Sequence, residues 1–429
     1  MVWCIMNKQL KIHFIGIGGI SMSALAKLAL IRGQAVSGSD AGFSEELLTL
    51  TEAGADAYVG HDPSKARSAD LVVYSGAIKD TDPELVSARE ALVPTVERQF
   101  YLQEIAKGYD KVIAVAGTHG KTTVCGMLAS VFATAGLPFT AHIGGYVNGY
   151  SNLIYRGEAY FLTEACEYRR SFLALTPDYS IITNVDLDHP DTYASQEEVE
   201  EAFEEFRRAT KLSCITQESG YLAKELKEHK NCFYGFRIYE NGNPITDLTL
   251  NVPGLHNVQN ATLAFGLCKQ MGLPVEVIAR GLSAYKGTKR RFEYISDSAG
   301  KIYSDYAHHP AEIRATLSTA RGMKPKRLVV VFQPHTFSRT AKLYDEFLTA
   351  FSGVDMLYIF KTYSARETEA DGVTARKLYE GLTEFFGDRV AYFDSMVTLA
   401  GNLIEDAKED DLLIIMGAGD IENLTKILE

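Results

Sequence analysis

The residues with the clearest chemistry sit in two glycine-rich segments, each set between an apolar run and an amphipathic one. Ala116-Gly117-Thr118-His119-Gly120-Lys121-Thr122-Thr123 follows the run KVIAV, which starts at Lys111. Gly-Lys-Thr between a strand and a helix is a phosphate-binding arrangement. Backbone N–H groups and the Lys121 ammonium hold β- and γ-phosphates, and the Thr122 hydroxyl faces a magnesium ion. The strict form of this loop has its first glycine where Val115 stands, so this one is a variant. It predicts a site for ATP or GTP.

The other segment, Gly16-Ile17-Gly18-Gly19-Ile20-Ser21, joins KIHFI (from Lys11) to SMSALAKLAL. Glycines let a backbone turn tightly and approach a pyrophosphate, whose charge a helix N-terminus favours. The dinucleotide fingerprint needs a third glycine where Ser21 stands. Asp40 follows in VSGSD, where a ribose-binding carboxylate would sit. A diphosphate-bearing ligand is expected here, with a plain tight turn as the alternative, and NAD is not singled out.

Acidic and imidazole residues follow several other apolar runs, at the strand ends that face the ligand crevice of a parallel sheet. Glu164 and Glu167 come after AYFLT, and Asn184-Val185-Asp186-Leu187-Asp188-His189-Pro190 comes after YSIIT. Glu164 suits magnesium, which prefers oxygen donors, whereas His189 taken alone reads first as a turn or capping residue. The segment from Gly254 to Ala261 opens an alanine-rich helix. It places His256, Asn257 and Asn260 either for base-edge hydrogen bonds or for helix capping. Asp305-Tyr306-Ala307-His308-His309-Pro310 and Gln333-Pro334-His335-Thr336-Phe337-Ser338-Arg339 repeat the strand-end placement, and together they point to a substrate pocket. Arg339 has the fork geometry to clamp a carboxylate. The basic run Lys289-Arg290-Arg291 either touches phosphate or is a solvated linker.

Positioning these residues requires strands and helices in alternation, and the pattern supplies them. KIHFI, DLVVYS, KVIAV, AYFLT, YSIIT, KIYSDY, RLVVVF, DMLYIF and DLLIIM each precede a segment of helical period. That predicts βαβ units, mostly parallel sheets and an α/β fold. Boundaries near residues 108 and 290 divide the 429 residues into three domains, 1–108, 109–290 and 291–429. The glutamate cluster from Glu197 to Glu205 carries Val199, Ala202, Phe203 and Phe206 at helical spacing, so a solvated helix face is expected there, not an acidic site.

Composition removes other classes. With 43 basic against 55 acidic residues the formal charge is -12, which disfavours a generic grip on nucleic acid or an anionic membrane. Cys4, Cys125, Cys166, Cys214, Cys232 and Cys268 are scattered without CxxC or zinc-like spacing, as free thiols in a reducing compartment would be. No apolar run is long enough to span a bilayer, and MVWCIMNKQLK lacks the features of a secretion signal. A soluble cytoplasmic protein without membrane insertion is expected.

The segments GIGGISMSALA, SGSD, YSGAI, AGTHGKTT, EACEYRRSFL, TNVDLDHPDTY, PGLHNVQNA, KRRFE, SDYAHHPAEI, FQPHTFSRT and MGAGDI occur in this order and cover nearly the whole chain. In them the sequence resembles the ATP-dependent Mur ligases. The resemblance implies an N-terminal Rossmann-like UDP-binding domain, a central P-loop ATPase domain with a mostly parallel sheet, and a C-terminal Rossmann-like amino-acid-binding domain. It implies that Gly16, Ile17, Gly18, Gly19 and Ser21 hold a UDP diphosphate, with Asp40 and Ser75 near the nucleotide-sugar. Gly117, Thr118, His119, Gly120, Lys121, Thr122 and Thr123 would surround the ATP phosphates. Thr122, Glu164 and His189 would ligate magnesium. His256, Asn257 and Asn260 would contact adenine, Arg291 the phosphates and Asp305 the ribose. His309, His335 and Arg339 would line the amino-acid pocket, with His309 as the base for the attacking amine.

The implied reaction uses ATP and Mg2+ to join L-alanine to the lactyl carboxylate of UDP-N-acetylmuramate through an acyl phosphate. The implied setting is peptidoglycan precursor synthesis by a monomer or weak homodimer. One departure is Cys166, which replaces the second acidic residue of EADE-type relatives. The alternatives are a recycling ligase that attaches a whole tripeptide to the same sugar and, from another class, an NAD(P)-dependent oxidoreductase built on the first loop.

Overall fold

The computed structural model describes residues 9–187, 192–228, 233–298, 300–365 and 367–429. The chain divides into two compact units. One comprises Met1–Val185, Glu200–Thr216 and Leu267–Gly281; the other comprises Asp186–Val199, Gln217–Gly266 and Leu282–Glu429. Each holds two sheets.

In the first unit, β1 (Lys11–Ile15), β2 (Ala35–Asp40), β3 (Asp56–Val59), β4 (Leu71–Tyr74) and β5 (Thr95–Glu97) form a fully parallel sheet in the order β3-β2-β1-β4-β5. The chain order reverses between β1 and β4, so the end of β1 is a topological switch point, where α/β sheets bind ligands. The second sheet contains β6 (Lys111–Ala116), β7 (Phe139–His142), β8 (Leu153–Tyr155), β9 (Tyr160–Glu164), β10 (Tyr179–Ile182) and β11 (Ser213–Ile215), in the order β11-β10-β6-β9-β7-β8. Only β8 runs antiparallel to its neighbour. β6 is central, flanked by β10 and β9, so residues leaving those two strands emerge beside the segment leaving β6.

The second unit contains an antiparallel meander, β12 (Tyr221–Glu228), β13 (Tyr234–Glu240) and β14 (Asn243–Thr249). Its other sheet is built of β15 (Glu293–Ser296), β16 (Lys301–Asp305), β17 (Arg327–Phe332), β18 (Met356–Phe360), β19 (Val390–Phe393) and β20 (Asp411–Met416), in the order β15-β16-β20-β17-β18-β19. Here the alternation of strand side chains explains the unbroken apolar runs. Val330, Phe332, Leu412 and Ile414 belong to one core. Val329, Val331, Leu413 and Ile415 belong to another, on the opposite face. A parallel sheet covered on both sides needs apolar residues at every position of its central strands, which is what RLVVVF and DLLIIM provide.

The α/β class and the parallel sheets follow the sequence expectation, as does the glutamate-rich helix Gln196–Ala209, whose Val199, Ala202, Phe203 and Phe206 are all buried. Phe203 and Phe206 each lie 5.1 Å from the ring of Phe172. The basic run is not a solvated linker. Arg290 donates to the Gly417 and Gly419 carbonyls beyond β20, and both Arg290 and Arg291 lie over the Tyr306 ring, at 4.8 and 5.1 Å.

Candidate active site

In the first unit the Gly16 loop leaves β1 at the switch point. Gly16 and Ile17 both donate to the Ser39 carbonyl at the end of β2, at 2.8 and 3.0 Å, which bends the chain sharply. Gly16 has φ +82, and a Cβ there would come within 3.2 Å of Ser75. A Cβ on Gly18 would lie 2.6 Å from the Leu47 side chain and 2.8 Å from Ser44 Oγ, so a larger residue would have to displace both. Asp40 accepts from Gly18 N at 2.8 Å and from Ala41 N at 2.8 Å. The expected nucleotide-sugar residue is thus also the brace of the loop. Ile17 is fully buried and belongs to the core under the loop.

Ser21, at the missing third glycine, points away from that turn. Its hydroxyl meets His142 Nε2 at 2.9 Å and Arg98 Nη1 at 3.1 Å. His142 ends β7; burial and Arg98 push its pKa down to about 4, so it is neutral at physiological pH.

The second loop leaves β6. Gly117 has φ +132, and a Cβ there would lie 1.9 Å from Thr183 Oγ1, so only glycine fits. Thr183 and Asn184, leaving β10, brace the loop. Thr118 N donates to the Asn184 carbonyl at 3.2 Å. His119 N donates to Asn184 Oδ1 at 2.8 Å, and Asn184 Nδ2 donates back to the His119 carbonyl at 3.1 Å. Gly120, at φ +83, opens the helix Lys121–Ala135, whose first residues include the buried Thr122 and Thr123.

Lys121 Nζ donates to the Thr118 carbonyl at 3.1 Å and pairs with Glu167 Oε2 at 2.9 Å. Burial works to lower the Lys121 pKa, but Glu167, Cys166 and Glu164 outweigh it and the net shift is upward, so the ammonium keeps its charge. Glu164 ends β9, and its Oε1 accepts from Gly144 N at 2.6 Å. β6, β9 and β10 therefore bring the phosphate loop, Glu164 and Asn184 together. His189 lies outside the described residues.

In the second unit His256, Asn257 and Asn260 share the first turns of the helix Leu255–Gln270. Asn257 Nδ2 donates to the Pro253 carbonyl at 2.6 Å, and Asn257 and Asn260 are buried. Burial and the Arg291 charge push the His256 pKa down to about 4. Asp305, at the end of β16, accepts from Phe292 N at 2.7 Å, Ala307 N at 2.8 Å and Thr316 Oγ1 at 3.1 Å. Burial raises its pKa against the pull of Arg291 and these backbone donors. Its carboxylate anchors the turn that carries Arg291, a positioning role beside the expected contact with ribose.

His309 caps the helix Pro310–Gly322. Its Nδ1 accepts from Ala311 N at 3.2 Å in a capping box with Glu312. An accepting Nδ1 places the ring proton on Nε2 and engages the ring's one lone pair in the helix cap, so in this arrangement the lone pair that would take a proton from an amine is occupied. The ring of His335 stacks on Tyr363 with centroids 5.5 Å apart, and His308 meets it edge-on at 5.6 Å. Arg339 Nη1 reaches His335 Nδ1 at 3.0 Å. Thr336 between them has φ +65, a strained value for a β-branched residue and one found mostly where a site dictates backbone shape.

Sequence reasoning gave no role to Asn184, Thr183, His142 or Arg98, and it named Glu167 without a partner. Asn184 carried the one available signal, since it follows a strand run just as Glu164 does.

Comparison with known proteins bears on all of these segments. Residues 11–110 match the model for the Mur ligase family, catalytic domain, residues 115–241 the Mur ligase middle domain, and residues 290–419 the Mur ligase, glutamate ligase domain. A UDP-N-acetylmuramate–L-alanine ligase of Acetivibrio thermocellus is 37% identical over 450 residues, covering 97% of this chain and 94% of that protein. One from Clostridium kluyveri is 38% identical over 444 residues, covering 96% of each. The crystal structure of a UDP-N-acetylmuramate–alanine ligase of Thermotoga maritima has a TM-score of 0.86 at 28% identity, with 98% of each chain covered. A murein peptide ligase of Psychrobacter arcticus, with a TM-score of 0.74 at 23% identity over 98% of each chain, shares the fold. Models that follow one another in family order across both glycine loops and the C-terminal sheet, with relatives alike over nearly their full length, show that the chain belongs to the Mur ligase family.

Proposed function

We propose that this Mur ligase joins L-alanine to the lactyl carboxylate of UDP-N-acetylmuramate, converting ATP to ADP and phosphate, in cytoplasmic peptidoglycan precursor synthesis. The observation that carries the reading is the pairing of a braced Gly-Lys-Thr loop with Glu164 on the neighbouring strand, in a chain alike end to end to L-alanine ligases. The tripeptide reading is not favoured, because the relatives at 36–38% identity are L-alanine ligases. Family membership sets aside the oxidoreductase. The domain limits we propose remain 1–108, 109–290 and 291–429.

In this reading the Gly16–Ser21 backbone receives the UDP diphosphate at a helix N-terminus. The backbone N–H groups from Gly120 to Thr122, at the start of the helix, and the Lys121 ammonium hold the β- and γ-phosphates. Thr122 and Glu164 offer a hydroxyl and a carboxylate, hard oxygen donors that fit magnesium, and Gly144 N orients the carboxylate. The metal, when bound, neutralises charge on the transferring phosphoryl group. The lactyl carboxylate attacks the γ-phosphorus, ADP leaves, and the acyl phosphate is trapped by the neutral amine of L-alanine with loss of phosphate. Lys121 stabilises the first step by charge and position. His256, Asn257 and Asn260 take the adenine, and Arg291 takes phosphate. Arg339, held by His335, takes the amino-acid carboxylate. His309 acts here as a helix cap that shapes the pocket wall.

The test is phosphate release from ATP, Mg2+ and UDP-N-acetylmuramate with L-alanine, glycine, L-serine or the tripeptide as acceptor, each product weighed by mass spectrometry. Release strongest with L-alanine and lost in Lys121→Ala is expected. Preference for the tripeptide would move the chain to the recycling reaction, and no release with any acceptor would overturn the ligase reading.

A further inference from the structure

Four hydrogen bonds run without interruption from the Gly16 loop to the strand that ends in Glu164, all within the first unit. Arg98 Nη1 lies 3.1 Å from Ser21 Oγ, Ser21 Oγ 2.9 Å from His142 Nε2, His142 Nδ1 3.0 Å from Thr163 Oγ1, and Thr163 Oγ1 3.1 Å from the Glu164 carbonyl oxygen. The directions follow the His142 tautomer, because Nε2 also lies 3.3 Å from the Ser21 carbonyl oxygen, which only accepts. With the proton on Nδ1, His142 donates to Thr163 and Nε2 accepts from the Ser21 hydroxyl. With the proton on Nε2, it donates to Ser21 and Nδ1 accepts from the Thr163 hydroxyl. In both forms the Ser21 oxygen accepts from Arg98, and the imidazole donates to one neighbour and accepts from the other, so both central joins are made.

The chain has no slack. Thr163 is fully buried and His142 nearly so, and two residues beyond His142 the Gly144 N–H holds the Glu164 carboxylate itself. A second set of bonds ties the helix Ile20–Ile31, which carries Ser21, to the segment entering β8: Asn152 Nδ2 donates to the Ile20 carbonyl at 2.8 Å, and Lys27 Nζ donates to Asn152 Oδ1 at 2.9 Å. Buried, fully satisfied polar networks of this kind fix one arrangement of the groups they join.

We infer that His142 is a positioning residue: through Ser21 and Thr163 it couples the diphosphate-binding loop to the strand that presents Glu164, so that occupation of either site tightens the other. The inference rests on the proposed function for what the two sites bind. It does not rest on the chemistry of ligation.

The test uses the full-length protein and two substitutions that keep shape, Ser21→Ala at the diphosphate end and Thr163→Val at the Glu164 end. Binding of UDP-N-acetylmuramate is measured by calorimetry with and without a saturating non-hydrolysable ATP analogue and Mg2+, and analogue binding is measured with and without the sugar nucleotide. In the wild type each ligand should strengthen the other by roughly threefold to tenfold. Each variant should bring that factor close to one, and Ser21→Ala/Thr163→Val should lose no more than either alone, as expected for members of one chain. His142→Phe, which deletes both central bonds, should match them if it folds. A coupling factor unchanged in both single variants, or losses that add, would overturn the inference. Intact coupling without any ligase product in the wild type would instead sink the proposed function and leave the relay standing.

Discussion

Lys121 and Glu167 form an ion pair inside the phosphate loop, Nζ to Oε2 2.9 Å, with the lysine side chain 15% and the glutamate side chain 4% exposed. The ammonium that is to meet the γ-phosphate is therefore held ready by a carboxylate of the same unit, and phosphate must take it over from that partner. Lys121→Ala is expected to lower kcat/KM at least a hundredfold, since the loss falls on transition-state charge. Glu167→Gln keeps the shape but removes the competing charge, so the KM for ATP should fall roughly twofold to fivefold. Initial rates over a range of ATP concentrations decide this, and a rise in KM would mean that Glu167 remains engaged when ATP is bound.

His256 enters the reaction neutral. Burial and Arg291 hold its pKa near 4, so between pH 8 and 6 it does not titrate and should contribute no limb to the pH profile of ATP use. A contact made by a neutral ring is one that another neutral hydrogen-bonding side chain can imitate. His256→Gln should raise the KM for ATP by about threefold, and His256→Ala by about tenfold. Equal losses in the two variants would mean that the ring acts by packing alone.

The parts of the site that could be read in advance are those where one residue type has one physical reason to stand at one place. Gly117, Gly120 and Lys121 are of that sort, and so are RLVVVF and DLLIIM, whose unbroken apolar character only a sheet covered on both faces requires. Glu167 was visible as a carboxylate near Glu164, but its partner depends on β9 lying beside β6, which no local pattern encodes. His142 was hidden for the same reason, because its partners Ser21 and Thr163 come from the loop after β1 and from β9. The meander β12 to β14 escaped notice because YLAKELKE alternates weakly, with Leu222, Lys224, Glu225 and Leu226 exposed. His309 is different. Proline directly after it and Glu312 three residues on are the marks of a capping box, and both stand in the sequence.

Arg339 is buried and its Nη1 is fixed by His335 Nδ1 at 3.0 Å, while His335 is stacked on Tyr363. A guanidinium held in this way presents a planar pair of donors in a single orientation, which suits the carboxylate of an amino acid. Arg339→Lys keeps the charge and loses the fork. Its expected effect is a rise of ten- to a hundredfold in the KM for L-alanine with the KM for ATP within twofold of wild type. His335→Ala should give a smaller rise of the same kind. Parallel increases in both constants would place Arg339 in the general fold of the domain and not in acceptor recognition.

Glu84 makes a prediction about stability that is independent of catalysis. Its side chain is fully buried between the first sheet and the helix Pro83–Glu90, where it accepts from Tyr58 OH at 2.8 Å, Asp62 N at 2.7 Å and the Ser39 hydroxyl. Burial alone would raise its pKa, but His13 and these donors favour the charged form and bring it down to about 2 from an ordinary 4.5. A carboxylate whose pKa is lower in the folded state binds protons more readily when unfolded. The stability it contributes is therefore complete above about pH 4.5 and is lost as the pH falls toward 2, by on the order of 3 kcal/mol. Glu84→Gln should cost about 1–3 kcal/mol at pH 7, because it breaks charge-assisted bonds in a buried place. It should also remove part of the acid limb, so the two proteins converge in stability between pH 4.5 and 3. Urea unfolding at pH 7, 5, 4 and 3 measures both effects, and curves that stay parallel down to pH 3 would show that Glu84 is not ionised in the folded protein.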